Sequence, residues 1–275
     1  MSDLVRVTRG VWRPAGQVAS LAGRVAAVLA AYPDGTVASG RTAARLHGLW
    51  LPGDAQDERI EVTVHPDVPV PRDRSYNRRP GIRARRQVLR PDETTIVAGL
   101  PILTEARTWL ELAAVLRPAD LVALGDSALR GAATVTEMEE LISRAVHRRG
   151  VVRARAVLPL LDARSRSRPE SHMRYAVVSS GLPKPDVNRP IFDARGEWLF
   201  EPDLSYDDVR LALEYNGRDH AAVERMRSDI TREVDAGQRG HWHTVTFGPV
   251  EVFNRPDQLA AYVRVLRRER ARLVR

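Results

Sequence analysis

The stretch Ser167–His220 constrains the fold more than any other part of this chain. SRPESHMRY opens a helix, and FEPDLSYDDVRLALEYNGRDH follows as strand, turn and strand. Ser167 and Glu170 stand at capping-box spacing, with Pro169 in the first turn, which predicts a helix start there. Val187–Phe192 and Glu197–Ser205 alternate loosely about Asp193–Gly196, a turn with glycine at its end. Val209–Tyr215 is β-branched and apolar enough for a buried strand.

Parity decides what such a hairpin brings together. If Asp207-Asp208 closes the turn, Asp203 faces Ala212, and Glu214 is its diagonal neighbour on the same face. Diagonal neighbours lie roughly 7–8 Å apart, within reach of one hydrated ion, whereas a one-residue slip puts the two carboxylates on opposite faces. A helix carrying Glu170 and laid on that face adds a third carboxylate. Three such groups form a hard-oxygen site for Mg²⁺ or Mn²⁺, the chemistry that hydrolyses phosphodiesters.

The linked set Glu170, Gly181-Leu182-Pro183, Asn188, Pro202-Asp203-Leu204, Glu214-Tyr215-Asn216-Gly217, His220, Asp229 and Arg232 resembles the Vsr-like branch of the PD-(D/E)XK nuclease superfamily. The resemblance implies an α+β chain with a restriction-endonuclease-like α/β core over residues 163–275. It further implies a metal held by Glu170, Asp203 and Glu214, and DNA as substrate. The superfamily lysine would fall at position 216, which is Asn216, and Lys184 is the single lysine of the chain. An amide ligates a metal or orients water through its oxygen but is no base near neutral pH. His220, with an ordinary pKa of about 6.5, is the substitute.

Each residue also has a simpler reading. Glu170 completes a helix cap, Asp203 is a turn acid after proline, and His220 is a surface residue at a helix start. Asp229 and Arg232, three apart on one helix, form a local ion pair. Glu214, a carboxylate ending an apolar strand, needs a partner if buried.

The formal charge is +8, and all 43 basic residues but Lys184 are arginine. Arginine grips phosphate in bidentate fashion, which fits a nucleic-acid partner; the same bias is also what a high-GC genome writes. The absence of cysteine excludes disulfides and thiolate zinc sites. No apolar run approaches the roughly 20 residues needed to span a bilayer, and no leader opens the chain, so a soluble cytoplasmic protein without membrane contact is expected.

Upstream, Leu4–Arg13 reads as a β-ribbon, Arg24–Ala31 and Gly40–Leu46 as helices, and Ile60–Val64 and Ile82–Leu89 as strands, the last half exposed through Arg83 and Arg85. LVRVTRGVWRP, SGRTAARLHGL and GLPILTEARTWLELA resemble AbiEi-type antitoxin proteins, which implies a mixed α/β region over residues 1–162 and a toxin partner. The chain begins almost at the wing of that family's winged helix, so no recognition helix is expected. Helices are expected at Pro118–Arg130, at Thr136–His147 (capped by Thr136 with Glu139) and at Val151–Asp162. Ala163–Arg168 reads as a linker. Beyond the carboxylates, Val223, Met226, Ile230 and Val234 stripe another helix, Trp242–Phe247 is a strand and Asp257–Leu273 an amphipathic helix. Two functions follow: a metal-dependent DNA endonuclease, or a non-catalytic nucleic-acid-binding, antitoxin-type regulator on a decayed nuclease fold.

Overall fold

A computed structural model describes residues 4–8, 11–14, 20–53, 59–68, 81–217 and 241–274. The architecture is α+β, with strands of both orientations in each of two compact units, Met1–Pro159 and Leu160–Arg275. Among the described residues, no helix is long and apolar enough to cross a membrane.

The first unit opens with an antiparallel ribbon, β1 (Leu4–Thr8) and β2 (Val11–Pro14). Helix α1 (Leu21–Ala30) starts at Ser20, whose hydroxyl accepts the Gly23 amide. A five-stranded sheet follows, built from β3 (Val37–Ala38), β4 (Ile60–Val64), β5 (Ile82–Arg86), β6 (Thr94–Val97) and β7 (Leu100–Leu103) in the order β5-β4-β3-β7-β6. Val25, Val28 and Tyr32 cover Ala38, Val62 and Ile102 at its centre. The β6–β7 hairpin has no counterpart in the expected elements. Its turn residues Ala98 and Gly99 both have positive φ, 51° and 75°, the sign a two-residue turn of right-handed twist demands. Alanine there hides the Asn-Gly signal by which such turns are usually read.

Helix α2 (Gly40–Leu46) lies against β4, and α3 (Glu105–Leu112), α4 (Pro118–Arg130), α5 (Val135–Arg144) and α6 (Val151–Val157) pack on one another. Trp109, fully buried, donates its indole N–H to the Leu121 carbonyl at 3.0 Å. The α5 cap is not the expected Thr136 with Glu139. The Thr134 hydroxyl accepts the Glu137 amide and the Glu137 carboxylate accepts the Thr134 amide, so the box sits two residues earlier and the helix ends at Arg144.

The second unit begins with α7 (Arg168–Ser179). Strands β8 (Asp186–Val187), β9 (Ile191–Phe192), β10 (Trp198–Phe200), β11 (Leu204–Tyr206), β12 (Leu211–Tyr215) and β13 (His243–Phe247) follow, and α8 (Pro256–Leu273) closes the chain. The expected long strand Glu197–Ser205 is two: Pro202, without an N–H, breaks the ladder after Phe200. β9 and β10 form their own hairpin, while β8, β11, β12 and β13 make a sheet in the order β13-β12-β11-β8. The β8–β11 and β11–β12 pairs are antiparallel, and β12–β13 is parallel. Leu204, Tyr206, Leu211 and Leu213 meet Met173 and Val177 of α7 and Leu259 and Val263 of α8 in one apolar core. The expected helix through Val223–Val234, with His220, Asp229 and Arg232, lies outside the described residues.

Candidate carboxylate site

The β11–β12 turn fixes the register of the two strand carboxylates. Residues Asp207–Val209 form a 3₁₀ turn and Arg210 takes a left-handed conformation, φ 49°, so the pair Tyr206↔Leu211 flanks a four-residue connection. The ladder runs Leu204↔Leu213 and Ser205↔Ala212. The pairing ends at Leu204↔Leu213, and its register extended by one step sets Asp203 across from Glu214. The expected pairing of Asp203 with Ala212 is therefore corrected by two residues, because the turn takes up four residues instead of two. The parity survives that change, and both carboxylates keep to one face.

That face is not the one the α7 core covers. Leu211 and Leu213 point to α7, whereas Ala212 packs with Ile191, Leu199, Phe200 and Trp242. Alternation puts Glu214 with Ala212. The expectation that Asp203 and Glu214 lie on the face met by the Glu170 helix is corrected accordingly. Glu170 stands in the first turn of α7, at the N-terminal end of the stripe that Met173 and Val177 continue into the core.

Glu170 is 5% exposed, and its position follows from the cap. The Ser167 hydroxyl accepts the Glu170 amide, while the Glu170 carboxylate accepts the Arg166 amide at 2.8 Å rather than that of Ser167. The same carboxylate oxygen accepts the Asn188 side-chain amide at 2.7 Å. Asn188, left-handed at φ 44°, also donates its backbone N–H to the Asp203 carbonyl at 3.0 Å. One asparagine thus ties the Glu170 carboxylate to the backbone of Asp203. Its part was visible in the sequence only as a member of the linked set, with no role attached.

Asp203 accepts the Tyr215 amide at 2.8 Å. Burial pushes its carboxyl up to about 7, the negative charge of Glu170 pushes the same way, the Tyr215 hydrogen bond opposes, and Glu214 adds a further upward push. Glu170 and Glu214 therefore each lie within electrostatic reach of Asp203. Among the described residues, however, no three His, Cys, Asp or Glu side chains gather closely enough to hold a metal ion. Asn216 is exposed, and its backbone amide donates to the Phe247 carbonyl at 2.9 Å, extending the β12–β13 ladder. His220 lies outside the described residues. Lys184 is 3.9 Å from the Asp162 carboxylate.

Residues 36–163 match the family described as AbiEi antitoxin C-terminal domain. Uncharacterized protein MT2308 of Mycobacterium tuberculosis (strain CDC 1551 / Oshkosh) is 34% identical over 267 residues, 94% of this chain and 91% of its own. Uncharacterized protein Rv2248 of strain ATCC 25618 / H37Rv gives the same values. The chain belongs to their family. The shared length takes in both units, so the carboxylate-bearing part is common ground with these relatives, whereas the antitoxin-domain match ends at residue 163, before Glu170. No solved structure matches.

Proposed function

We propose that this protein is an antitoxin-type regulator that binds nucleic acid, with a non-catalytic nuclease-like second unit. The match of residues 36–163 to the AbiEi antitoxin C-terminal domain carries this reading. The site agrees with it. Glu170 spends one oxygen on two protein donors, Asp203 accepts a backbone amide, and the position of the superfamily lysine holds Asn216. The net charge of +8, nearly all of it arginine, supplies the attraction to phosphate. A toxin is the protein partner this class implies. The test is incubation of the full chain with plasmid, single-stranded and mismatched DNA in Mg²⁺ or Mn²⁺. Intact DNA is expected, both from the wild type and from Asn216→Lys.

One observation favours a second reading, a metal-dependent endonuclease. Burial first, and then the charges of Glu170 and Glu214, raise Asp203, and a divalent cation beside it would oppose that rise. The described order α7, antiparallel β8, β11 and β12, then a parallel β13 and α8 also supports that reading, while the helix such a core needs between β12 and β13 falls outside the described residues. In that reading Glu170, Asp203 and Glu214, which do not gather closely enough to hold a metal ion in this structure, would have to draw together around Mg²⁺, whose positive charge would then act at the scissile phosphate. Asn216 orients water and His220 takes its proton. Glu214→Gln then abolishes cleavage while the fold persists, because an amide of the same shape lacks the charge that holds the ion.

A further inference from the structure

Away from the carboxylates, the first unit carries a cleft of about 310 Å³ with an unusual wall. Arg85 of β5 and Arg148 and Arg149, which follow α5, line it together with Gln87, Glu111 and the apolar Val115. From the sequence Arg85 reads as a solvated residue on a half-exposed strand. In the structure it pairs with Glu111 and also lies 3.8 Å from Glu61, which it shares with Arg83. Behind the wall Arg107, fully buried, reaches Glu111 at 3.4 Å and Glu93 at 3.6 Å.

Gln87 organises the group. Its side-chain oxygen accepts from Arg107 at 2.8 Å and from Arg148 at 2.6 Å, so two guanidiniums are held side by side by one neutral acceptor. Glu61, Glu93 and Glu111 face Arg83, Arg85, Arg107 and Arg148, four guanidiniums against three carboxylates, so the network stays positive before Arg149 on the rim is added. Burial lowers both Arg107 and Arg148 from their usual range, and like charge from Arg85 acts on both. A set of ion pairs built for stability alone would close its charge. This one converges fixed, partly desolvated guanidiniums on a space large enough for a small ligand, and an anion there completes the balance.

We propose that this cleft binds the phosphate of a mononucleotide-sized phosphomonoester, gripped by Arg148 and Arg149, with its organic part against Val115. The inference stands on the first unit alone and does not rest on the reading of the carboxylate site or on nucleic-acid binding. Titration of the full chain with AMP, adenosine and inorganic phosphate, followed by calorimetry, tests it. AMP should bind, phosphate more weakly and adenosine not at all. Arg148→Gln and Arg149→Gln should each weaken AMP by about tenfold, as loss of a charge-assisted hydrogen bond does. Arg149 is exposed, so Arg149→Gln keeps the fold and serves even if Arg148→Gln does not. Absence of AMP binding overturns the proposal, as does AMP binding that Arg149→Gln leaves unchanged. Binding of a DNA duplex but not of AMP also overturns it, since the arginines would then be part of an extended phosphodiester surface.

Discussion

The Asp203 carboxylate accepts the backbone amide of Tyr215 at 2.8 Å, across the end of the β11–β12 pair. The bond holds the charged form, yet burial and Glu170 together outweigh it and lift the carboxyl to about 7. A raised acid is a stability cost that depends on pH. The unfolded chain releases this proton near the ordinary value of 3.8, the folded chain only near 7. Between the two the folded state binds more protons, so stability from this group falls as pH rises through that window and stays low above it. Asp203→Asn keeps an oxygen for the Tyr215 amide and has no charge to bury. It should stabilise the protein at about pH 8, by up to about 4 kcal/mol, and much less at about pH 5. Urea unfolding at the two pH values reads the difference, and an equal gain at both would contradict the electrostatic origin.

Arg107 makes a second test, of the first unit. Arg107→Met leaves Glu111 with Arg85 and deprives Glu93 and Gln87 of a buried donor. Breaking a buried pair from one side costs about 3–5 kcal/mol. The unfolding free energy of the first unit, from urea titration of the full chain, should fall by that amount; a change below about 1 kcal/mol would mean that Arg148 and Arg85 substitute for it.

Two glycines separate strain from collision. Gly150, φ 91°, begins α6, and a Cβ there would stand 2.5 Å from the Ala114 backbone nitrogen. Gly196, φ 84°, has open space around it. Gly196→Ala should cost about 1–2 kcal/mol, the left-handed penalty alone. Gly150→Ala should cost clearly more, with a lower melting temperature. Equal melting temperatures would show that the Ala113–Ala114 backbone facing Gly150 yields.

Caps offer the finest comparison. Thr134→Ala should cost about 1 kcal/mol and Thr136→Ala close to nothing, measured by thermal unfolding. The residues explain why the sequence pointed to the wrong threonine. Thr134-x-x-Glu137 and Thr136-x-x-Glu139 have the same spacing, and only the packing of Met138, Leu141 and Ile142 into the core selects the frame. The same limit runs through the fold. Strands with strong local signals, such as Ile60–Val64 and Leu211–Tyr215, were legible. The β6–β7 hairpin was not, because Ala98-Gly99 carries no turn signature. At the site, the parity relating the Asp203 strand to the Glu214 strand was legible because it tolerates a two-residue change in register. Which face α7 covers was not, since that depends on where Leu204 and Leu213 find their partners.

The central claim is that the protein binds nucleic acid without cutting it. The direct measurement is a titration of labelled duplex DNA with the full chain in Mg²⁺ at rising salt, with the duplex recovered and sized afterwards. The account predicts binding whose affinity falls steeply with salt, by close to one power of concentration for each phosphate contacted, and duplex recovered intact. Salt-insensitive or absent binding contradicts it, and so does duplex cut by the wild type but spared by Glu214→Gln.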